Sequence, residues 1–233
     1  MNNVVKNTTK CRLIDLLCPH SCRGCGHLGS ILCGCCEKYL LERRSVICPL
    51  CKQTISKLSN NMLCSECETV FEGFWSAGWR EGVLNRLIKD YKYRSVRAAG
   101  PVLAEILDEV LPSDLAEVVV VPLPTIGRHV RERGFDHTMV LARYLARRRG
   151  WKVKPLLNRN TDTVQVGAKV AQRQEQAKTT YAVTSKLEPE EGYLLLDDIW
   201  TTGASMKAAV EIMRQAGAQH VMVAVVAISK PAE

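Results

Sequence analysis

The amino-acid sequence predicts an α/β protein with a parallel sheet, preceded by a small cysteine-rich region. All eleven cysteines lie between Cys11 and Cys67, in the first third of the 233 residues. The remainder contains short apolar runs rich in β-branched residues, which is the pattern of strands buried on both faces. These runs alternate with segments of helical periodicity, and that alternation implies parallel strands joined by right-handed crossovers.

The elements expected in the α/β part alternate along the chain. They are helices over 84–91, 103–110, His137–Arg149 and Ala204–Gln215, and strands over 118–123, 193–196 and 221–228. Gly150 and Gly217 stand where the last two helices should end, and glycine commonly ends a helix. Ligands of such open sheets bind at the carboxyl ends of the strands, so we expect the functional site there.

Composition restricts the class of protein. The chain is 46% hydrophobic and 24% charged, which is typical of one or two globular domains and excludes disordered, collagen-like and coiled-coil chains. The longest apolar stretches, 118–121 and 221–228, are much shorter than the roughly 18 residues of a membrane helix. The first ten residues are polar and do not resemble a secretory signal. We therefore expect a cytoplasmic protein without membrane insertion.

The cysteines form four Cys-x2-Cys pairs. These are Cys22 and Cys25, Cys33 and Cys36, Cys48 and Cys51, and Cys64 and Cys67. Four such pairs in a reducing compartment predict two structural zinc sites of four thiolates each, rather than disulfides. An internal repeat favours two sequential modules, at about 18–39 and 46–70, although cross-bracing remains open. Cys11, Cys18 and Cys35 are left over, and His20 or His27 are alternative ligands.

The domain boundary is placed near Phe71, which gives a zinc-binding region over 1–70 and an α/β domain over 71–233. The formal charge is +8. Each four-thiolate zinc site carries a net charge of −2, so two sites lower the total to about +4. Residues 127–160 contain ten Arg or Lys, whereas 101–120 contain five acids and no base. The basic segment suggests a polyanion or a phosphorylated ligand, and a solvated helix face is the equal alternative for the four arginines within 143–149.

A candidate ligand site follows the predicted strand 193–196. Asp197 and Asp198 come first, and residues 201–205 then supply hydroxyls, a glycine and the N-terminus of a helix. Free backbone N–H groups at a helix N-terminus bind anions, and adjacent carboxylates can accept hydrogen bonds from a diol. The combination indicates a sugar phosphate. The alternative is that Thr201 or Thr202 merely caps the helix.

Residues 193–205 resemble the phosphoribosyl pyrophosphate (PRPP) motif of type I phosphoribosyltransferases. The cysteine pairs, the Val-Pro-Leu-Pro run at 121–124, the segment from Arg131 to His137, Gln165 and Arg173 are together similar to the ComF family of competence-associated proteins. The resemblance covers about 48–229. The first cysteine module is additional to the single module usual in that family, and Asp136 and His137 replace its usual Asn-Gln.

The resemblance implies a role for each matching residue. Asp197 and Asp198 would bind the ribose hydroxyls directly or through Mg²⁺. The 5′-phosphate would lie on the residues Thr201, Thr202, Gly203, Ala204 and Ser205. Residues 122–128 would form the pyrophosphate loop, and Arg131 and Arg133 would neutralise pyrophosphate oxygens. A loop over 158–178 that includes Arg173 would close over PRPP and exclude water.

Two functions are consistent with these features. The first is a ComF-like protein of DNA uptake that keeps a PRPP and Mg²⁺ site and contacts single-stranded DNA and uptake partners such as a helicase. The second is an active phosphoribosyltransferase that transfers ribose 5-phosphate to an unidentified nitrogen nucleophile. The intact PRPP motif argues against a third function, a structural adaptor. The candidates for stacking on DNA bases are Phe74, Trp75, Trp79, Trp151 and Trp200.

Overall fold

The computed structural model describes residues 20–42, 47–55, 61–67, 70–94, 96–159 and 181–230. Cys11, Cys18, Gln165 and Arg173 lie outside the described residues. Within the described ranges no helix is both long enough and apolar enough to cross a membrane.

The centre of the fold is a sheet of five parallel strands, which confirms the predicted fold class. The strands in the described chain are β1 (Phe74–Ser76), β2 (Val119–Pro122), β3 (Lys152–Val153), β4 (Leu157–Arg159), β5 (Tyr181–Val183), β6 (Gly192–Trp200) and β7 (His220–Ile228). Five of them form the sheet in the order β1-β7-β6-β2-β3, with every neighbouring pair parallel. The other two, β4 and β5, form an antiparallel pair beside it.

The helices in the described chain are α1 (Gly34–Glu42), α2 (Gly82–Tyr93), α3 (Ala99–Asp108), α4 (Gly127–Arg133), α5 (His137–Arg149) and α6 (Ala204–Gln215). The predicted bounds of α5 and α6 are confirmed. Local signals set the ends of α5, because the Asp136 side chain accepts hydrogen bonds from the first-turn N–H groups of Thr138 and Met139, and Gly150 ends the helix in the left-handed region.

The long strand β6 differs from its prediction. It continues to Trp200 and pairs with β7 along most of its length, with Asp197 opposite Val225. Asp197 and Asp198 therefore lie within the strand rather than after it. Pairing with the long apolar β7 extends the strand beyond the apolar run 193–196 that the sequence marks.

The two faces of the sheet bury separate apolar cores. Val120, Leu194 and Ala224 pack in one core with α2, α3 and α5. Their neighbours in the strands face the opposite side and pack with α6, because side chains alternate along a strand. Each cysteine module contributes to a different core: Ile31 to the first, and Cys48 to the second.

Candidate functional sites

The two cysteine clusters pair as sequential modules. The Sγ atoms of Cys22, Cys25, Cys33 and Cys36 form one cluster, and those of Cys48, Cys51, Cys64 and Cys67 form the other. Within each cluster all ligand atoms lie within 4.8 Å of one another. The first pair thus meets the second and the third meets the fourth, so cross-bracing is excluded. Cys35 is exposed and, like His20 and His27, belongs to neither cluster.

The chemistry of both clusters fits zinc. The Cys22 Sγ accepts hydrogen bonds of 3.3 Å from the backbone N–H groups of Gly24 and Cys33. Burial alone would raise the pKa of Cys22, but hydrogen bonds from backbone N–H groups, first that of Cys25 and then those of Cys33 and Gly24, lower it to about 6. The same opposition lowers the pKa of Cys48 to about 7. A thiolate is the form that binds Zn²⁺, and four thiolates complete its tetrahedral coordination. The clusters can hold two zinc ions.

The second site is at the carboxyl edge of the sheet, where Asp198 is 3% exposed. Its Oδ2 atom pairs with the ammonium of Lys92, from the last turn of α2, and lies 3.2 Å from Nε2 of His137. Burial lowers the pKa of Lys92 to about 8, although Asp197 acts against that shift. Lys92 therefore keeps its charge at neutral pH. Sequence reasoning missed Lys92, because no local pattern connects α2 with β6.

His137 connects Asp198 with Arg133. The Arg133 Nη1 atom lies 3.0 Å from the His137 Nδ1 atom. Because a guanidinium only donates, Nδ1 must accept, and the proton of the neutral imidazole is assigned to Nε2, which faces Asp198 Oδ2 without the alignment of a hydrogen bond. Burial and the nearby charges of Lys92 and Arg133 lower the pKa of His137 to about 3. The ring is therefore neutral, and it separates the Arg133 guanidinium from the Asp198 carboxylate.

This cluster does not fit a magnesium centre. His137, Asp197 and Asp198 have ligand atoms within 4.8 Å of one another, the spacing of a possible metal group. However, both nitrogens of His137 are already engaged, and the Lys92 ammonium contacts the Asp198 oxygen. Mg²⁺ needs several oxygen ligands in octahedral geometry, and a cation bound to Asp198 Oδ2 would lie against the Lys92 ammonium.

Asp197 has different surroundings from Asp198. It is partly exposed, and one of its oxygens accepts a hydrogen bond of 2.8 Å from the Asp198 N–H. Burial raises the pKa of Asp197 to about 7, against the opposing charge of Lys92, and the Asp136 carboxylate adds to the rise. Asp197 can therefore carry or release a proton near neutral pH.

The predicted phosphate cradle begins α6. Thr201, Thr202, Ala204 and Ser205 are exposed, whereas Gly203 is buried. Gly203 has a φ of 77°, and a Cβ atom there would lie 2.0 Å from the Trp200 ring. Only glycine satisfies both demands. The Ala204 N–H donates a long hydrogen bond of 3.4 Å to the Thr202 hydroxyl. The cradle is thus an exposed turn at a helix N-terminus, built against a buried indole.

Two residues that were not assigned to the cradle lie beside it. Tyr181 is 3% exposed on β5, and the Arg159 guanidinium lies 5.7 Å from the centre of its ring. Burial raises the pKa of Tyr181, while Arg159 and the Ser205 hydroxyl lower it, so both groups are close to the phenol. The β4–β5 pair places them there. Sequence reasoning counted Arg159 only as part of the basic segment.

The predicted pyrophosphate arginines differ in position. Arg133 is half-buried, contacts His137, and lies 5.5 Å above the Tyr93 ring. Arg131 is exposed on α4. The structure therefore brings Arg133 to the carboxylates and leaves Arg131 at the surface.

The expectation that Trp200 stacks on a DNA base is wrong. Trp200 is 2% exposed and lies edge-on to Phe74 and Phe71, with ring centres 5.0 and 6.0 Å away. Phe74 and Trp75 are buried as well, so none of the three can stack on DNA. Trp79 and Trp151 are half-buried. The burial of Trp200 depends on residues remote in sequence, which local pattern does not reveal.

Part of the basic segment is neutralised within the fold. Arg148 pairs with Asp108 and Glu105, and Arg149 pairs with Asp108 and also donates to backbone carbonyls. These acids come from the segment 101–120, so the two oppositely charged segments meet. Arg143 and Arg147 on the same helix are exposed. Arg148 and Arg149 therefore do not belong to a solvated helix face, because their ion pairs hold α5 against α3.

Comparisons with known proteins gave matches to solved structures only. No family model and no curated protein matches the chain. One similar structure is glutamine phosphoribosylpyrophosphate (PRPP) amidotransferase from B. subtilis complexed with ADP and GMP, at 19% identity over 59% of this chain and 30% of that one, with a TM-score of 0.43. Another is the allosteric regulatory enzyme of purine biosynthesis, at 17% identity over 74% of this chain and 32% of that one, with a TM-score of 0.41. The chain spans about a third of the length of each.

Proposed function

We propose that this chain is a cytoplasmic, ComF-like protein of DNA uptake. Its α/β domain binds PRPP or a related phosphoribosyl ligand. The observation that carries the proposal is the arrangement at the end of β6. Asp197 and Asp198 are followed within one turn by the exposed cradle that opens α6. A ligand with a diol and a phosphate matches these two features in their order.

Each residue has a role in this proposal. The helix N-terminus and the hydroxyls of Thr201, Thr202 and Ser205 bind the 5′-phosphate, and Asp197 accepts hydrogen bonds from the ribose hydroxyls. Arg133 and Arg131 neutralise the pyrophosphate, and Arg173, which lies outside the described residues, keeps the role that the resemblance implies. Because the carboxylate cluster does not fit a metal centre, the Mg²⁺ implied by the resemblance is given no ligand there.

The test is calorimetric titration of the zinc-loaded full chain with PRPP in the presence of Mg²⁺. We expect saturable binding by the natural chain and a loss of about tenfold or more in affinity for Asp197→Asn, because an amide accepts more weakly than a carboxylate. Asp114→Asn is the matched control, since Asp114 is exposed. Absence of binding by the natural chain up to millimolar PRPP would contradict the proposal.

An active phosphoribosyltransferase is the alternative function of the same site. It requires release of pyrophosphate when a nitrogen nucleophile is added with PRPP. Release with a nucleobase would establish the enzyme, whereas tight PRPP binding without release would support a binding role. The same titrated protein serves both assays.

Contact with single-stranded DNA is the second part of the proposal, and a helicase or another uptake protein is the expected protein partner. Arg143 and Arg147 are exposed on α5, and neither pairs with a carboxylate in the part of the chain that the structure describes. Replacing both by Gln should reduce the slope of log affinity against log salt by about 1 to 2, because each neutralised phosphate releases counterions. Arg148→Gln is the control: Arg148 is paired with Asp108, and its loss should leave the slope unchanged.

A further inference from the structure

We propose that Lys92 takes the place of a divalent cation at Asp198, so that the carboxylate edge binds a sugar phosphate without a metal ion between Asp198 and the ligand. This inference rests on the proposed function, whose site it describes further. Lys92 is then a positioning residue, which acts through Asp198.

The ion pair is built into the fold. The Lys92 side chain is 12% exposed and that of Asp198 is 4% exposed, so the two charges meet almost without water. The preceding residue, Tyr91, donates a hydrogen bond of 3.0 Å from its hydroxyl to the His137 carbonyl. That bond fastens α2 to α5 beside the pair. The end of α2 that carries Lys92 is therefore held beside Asp198.

The charges around Lys92 and Asp198 also favour an ammonium over a divalent cation at this position. The Asp198 charge is balanced by Lys92, and the neutral His137 ring fills the other side of the same oxygen. Arg159 lies close enough to Asp197 to lower its pKa, in opposition to burial. Lys92 thus compensates Asp198, whereas Arg159 only reduces the effect of burial and of Asp136 on Asp197. The ammonium lowers the negative charge that would attract a divalent cation to Asp198 and that would repel a phosphorylated ligand.

Lys92 can orient the carboxylate as a metal ion would. Its ammonium pairs with Asp198 Oδ2, which accepts no hydrogen bond, so the contact is one of charge. A bound Mg²⁺ would orient oxygen atoms through coordination, whereas Lys92 orients the Asp198 carboxylate through this ion pair. Both arrangements place a positive charge beside the carboxylate.

The first experiment measures ribose 5-phosphate, which has the diol and the phosphate but lacks the metal-binding pyrophosphate. Titration in divalent-free buffer without a chelator keeps the structural zinc in place. We expect the natural chain to bind equally well with and without millimolar Mg²⁺. Lys92→Met should lose about tenfold or more without Mg²⁺ and recover affinity when Mg²⁺ is added. Lys92→Arg keeps the charge and should remain independent of Mg²⁺, and Lys89→Met, exposed on the same helix, is the control.

The second experiment needs no organic ligand. Electron paramagnetic resonance of Mn²⁺ measures whether the protein binds a hard divalent cation. The natural chain should not bind Mn²⁺ at Asp198, Lys92→Met should gain one site, and adding Asp198→Asn to that variant should remove the site. Thermal unfolding confirms that each variant is folded.

The outcomes separate this inference from the proposed function. Binding of ribose 5-phosphate only with Mg²⁺, or binding of Mn²⁺ at Asp198 in the natural chain, overturns the inference while the proposed site stands. If neither ribose 5-phosphate nor PRPP binds under any condition, the proposed function fails. The Mn²⁺ measurement then decides alone whether Lys92 replaces a metal ion.

Discussion

Asp197 and Asp198 are adjacent in β6, yet their carboxyl groups have different surroundings. Asp198 is buried against Lys92 and His137, so its charge is compensated inside the protein. Asp197 has no such close partner among the described side chains, and burial raises its pKa to about 7. Asp197, the carboxyl group whose pKa is raised, is therefore the one that faces the proposed ligand. This is typical of binding sites, which hold groups in states that the folded chain alone would not favour.

The first prediction concerns the stability of the natural chain relative to Asp197→Asn. The folded-state pKa of Asp197, about 7, lies above its ordinary value of 3.8. Between these values the folded state holds a proton that the unfolded state has released, so the free energy of unfolding of the natural chain falls as pH rises. Asn cannot titrate. Urea unfolding measures this difference. When the pH rises from 5 to 7.5, the free energy of unfolding of the variant should rise by about 1 kcal/mol or more relative to that of the natural chain.

Asp114→Asn provides the control for this comparison, because Asp114 is exposed. Its difference from the natural chain should stay nearly constant between the two pH values. A constant difference for Asp197→Asn as well would show that Asp197 titrates like a solvated carboxyl group. That result would contradict the raised pKa that distinguishes Asp197 in this site.

In the turn from β6 to α6, a residue at the end of the strand determines which residue can precede the helix. Gly203, the residue before α6, is in the left-handed region, and the Trp200 ring fills the space where a side chain would start. Trp200 is held in turn by Phe71 and Phe74. The position of the exposed cradle is therefore fixed by a buried aromatic cluster beneath it.

The second prediction compares Gly203→Ala with Gly150→Ala. Both glycines have nearly equal positive φ, 77° and 73°, but nothing lies within 4 Å of a Cβ atom at Gly150. Gly150→Ala should cost about 1 kcal/mol from backbone strain alone. Gly203→Ala should cost about 3 kcal/mol or more, because the methyl group also displaces the Trp200 ring. Urea unfolding measures both, and equal costs would show that Trp200 moves aside freely.

Local signals explain which elements the sequence could predict. The bounds of α5 follow from the Asp136 cap and Gly150. The buried strand and the cradle after it consist of consecutive residues, so the sequence pattern shows both. The Lys92 pair, the burial of Trp200 and the neutralised Arg148 each depend on contacts between distant segments. The Cys-x2-Cys spacing predicted two zinc sites, while the choice of sequential pairing required coordinates.

On the scale of the whole molecule, the cysteine modules are integrated with the α/β fold. Arg23, which lies between Cys22 and Cys25, pairs with Asp90 on α2, and Asp90 is 2% exposed. Arg86 of the same helix donates to the Arg23 carbonyl. Ile31 packs in the core that α2 shares with α3. The first module therefore compensates a buried charge and completes a core on the helix that carries Lys92.

The third prediction follows from this integration. Cys36→Ser removes one thiolate of the first cluster and should lower the zinc content from two ions per chain to one by elemental analysis. Because Asp90 then loses a firmly held partner and Ile31 its support, the α/β fold should unfold at a lower temperature in one transition. Cys35→Ser is the control, since Cys35 is adjacent, exposed and outside the cluster. A separate early transition with the main one unchanged would instead make the region 1–70 an independent domain, and retention of two zinc ions would contradict the ligand assignment.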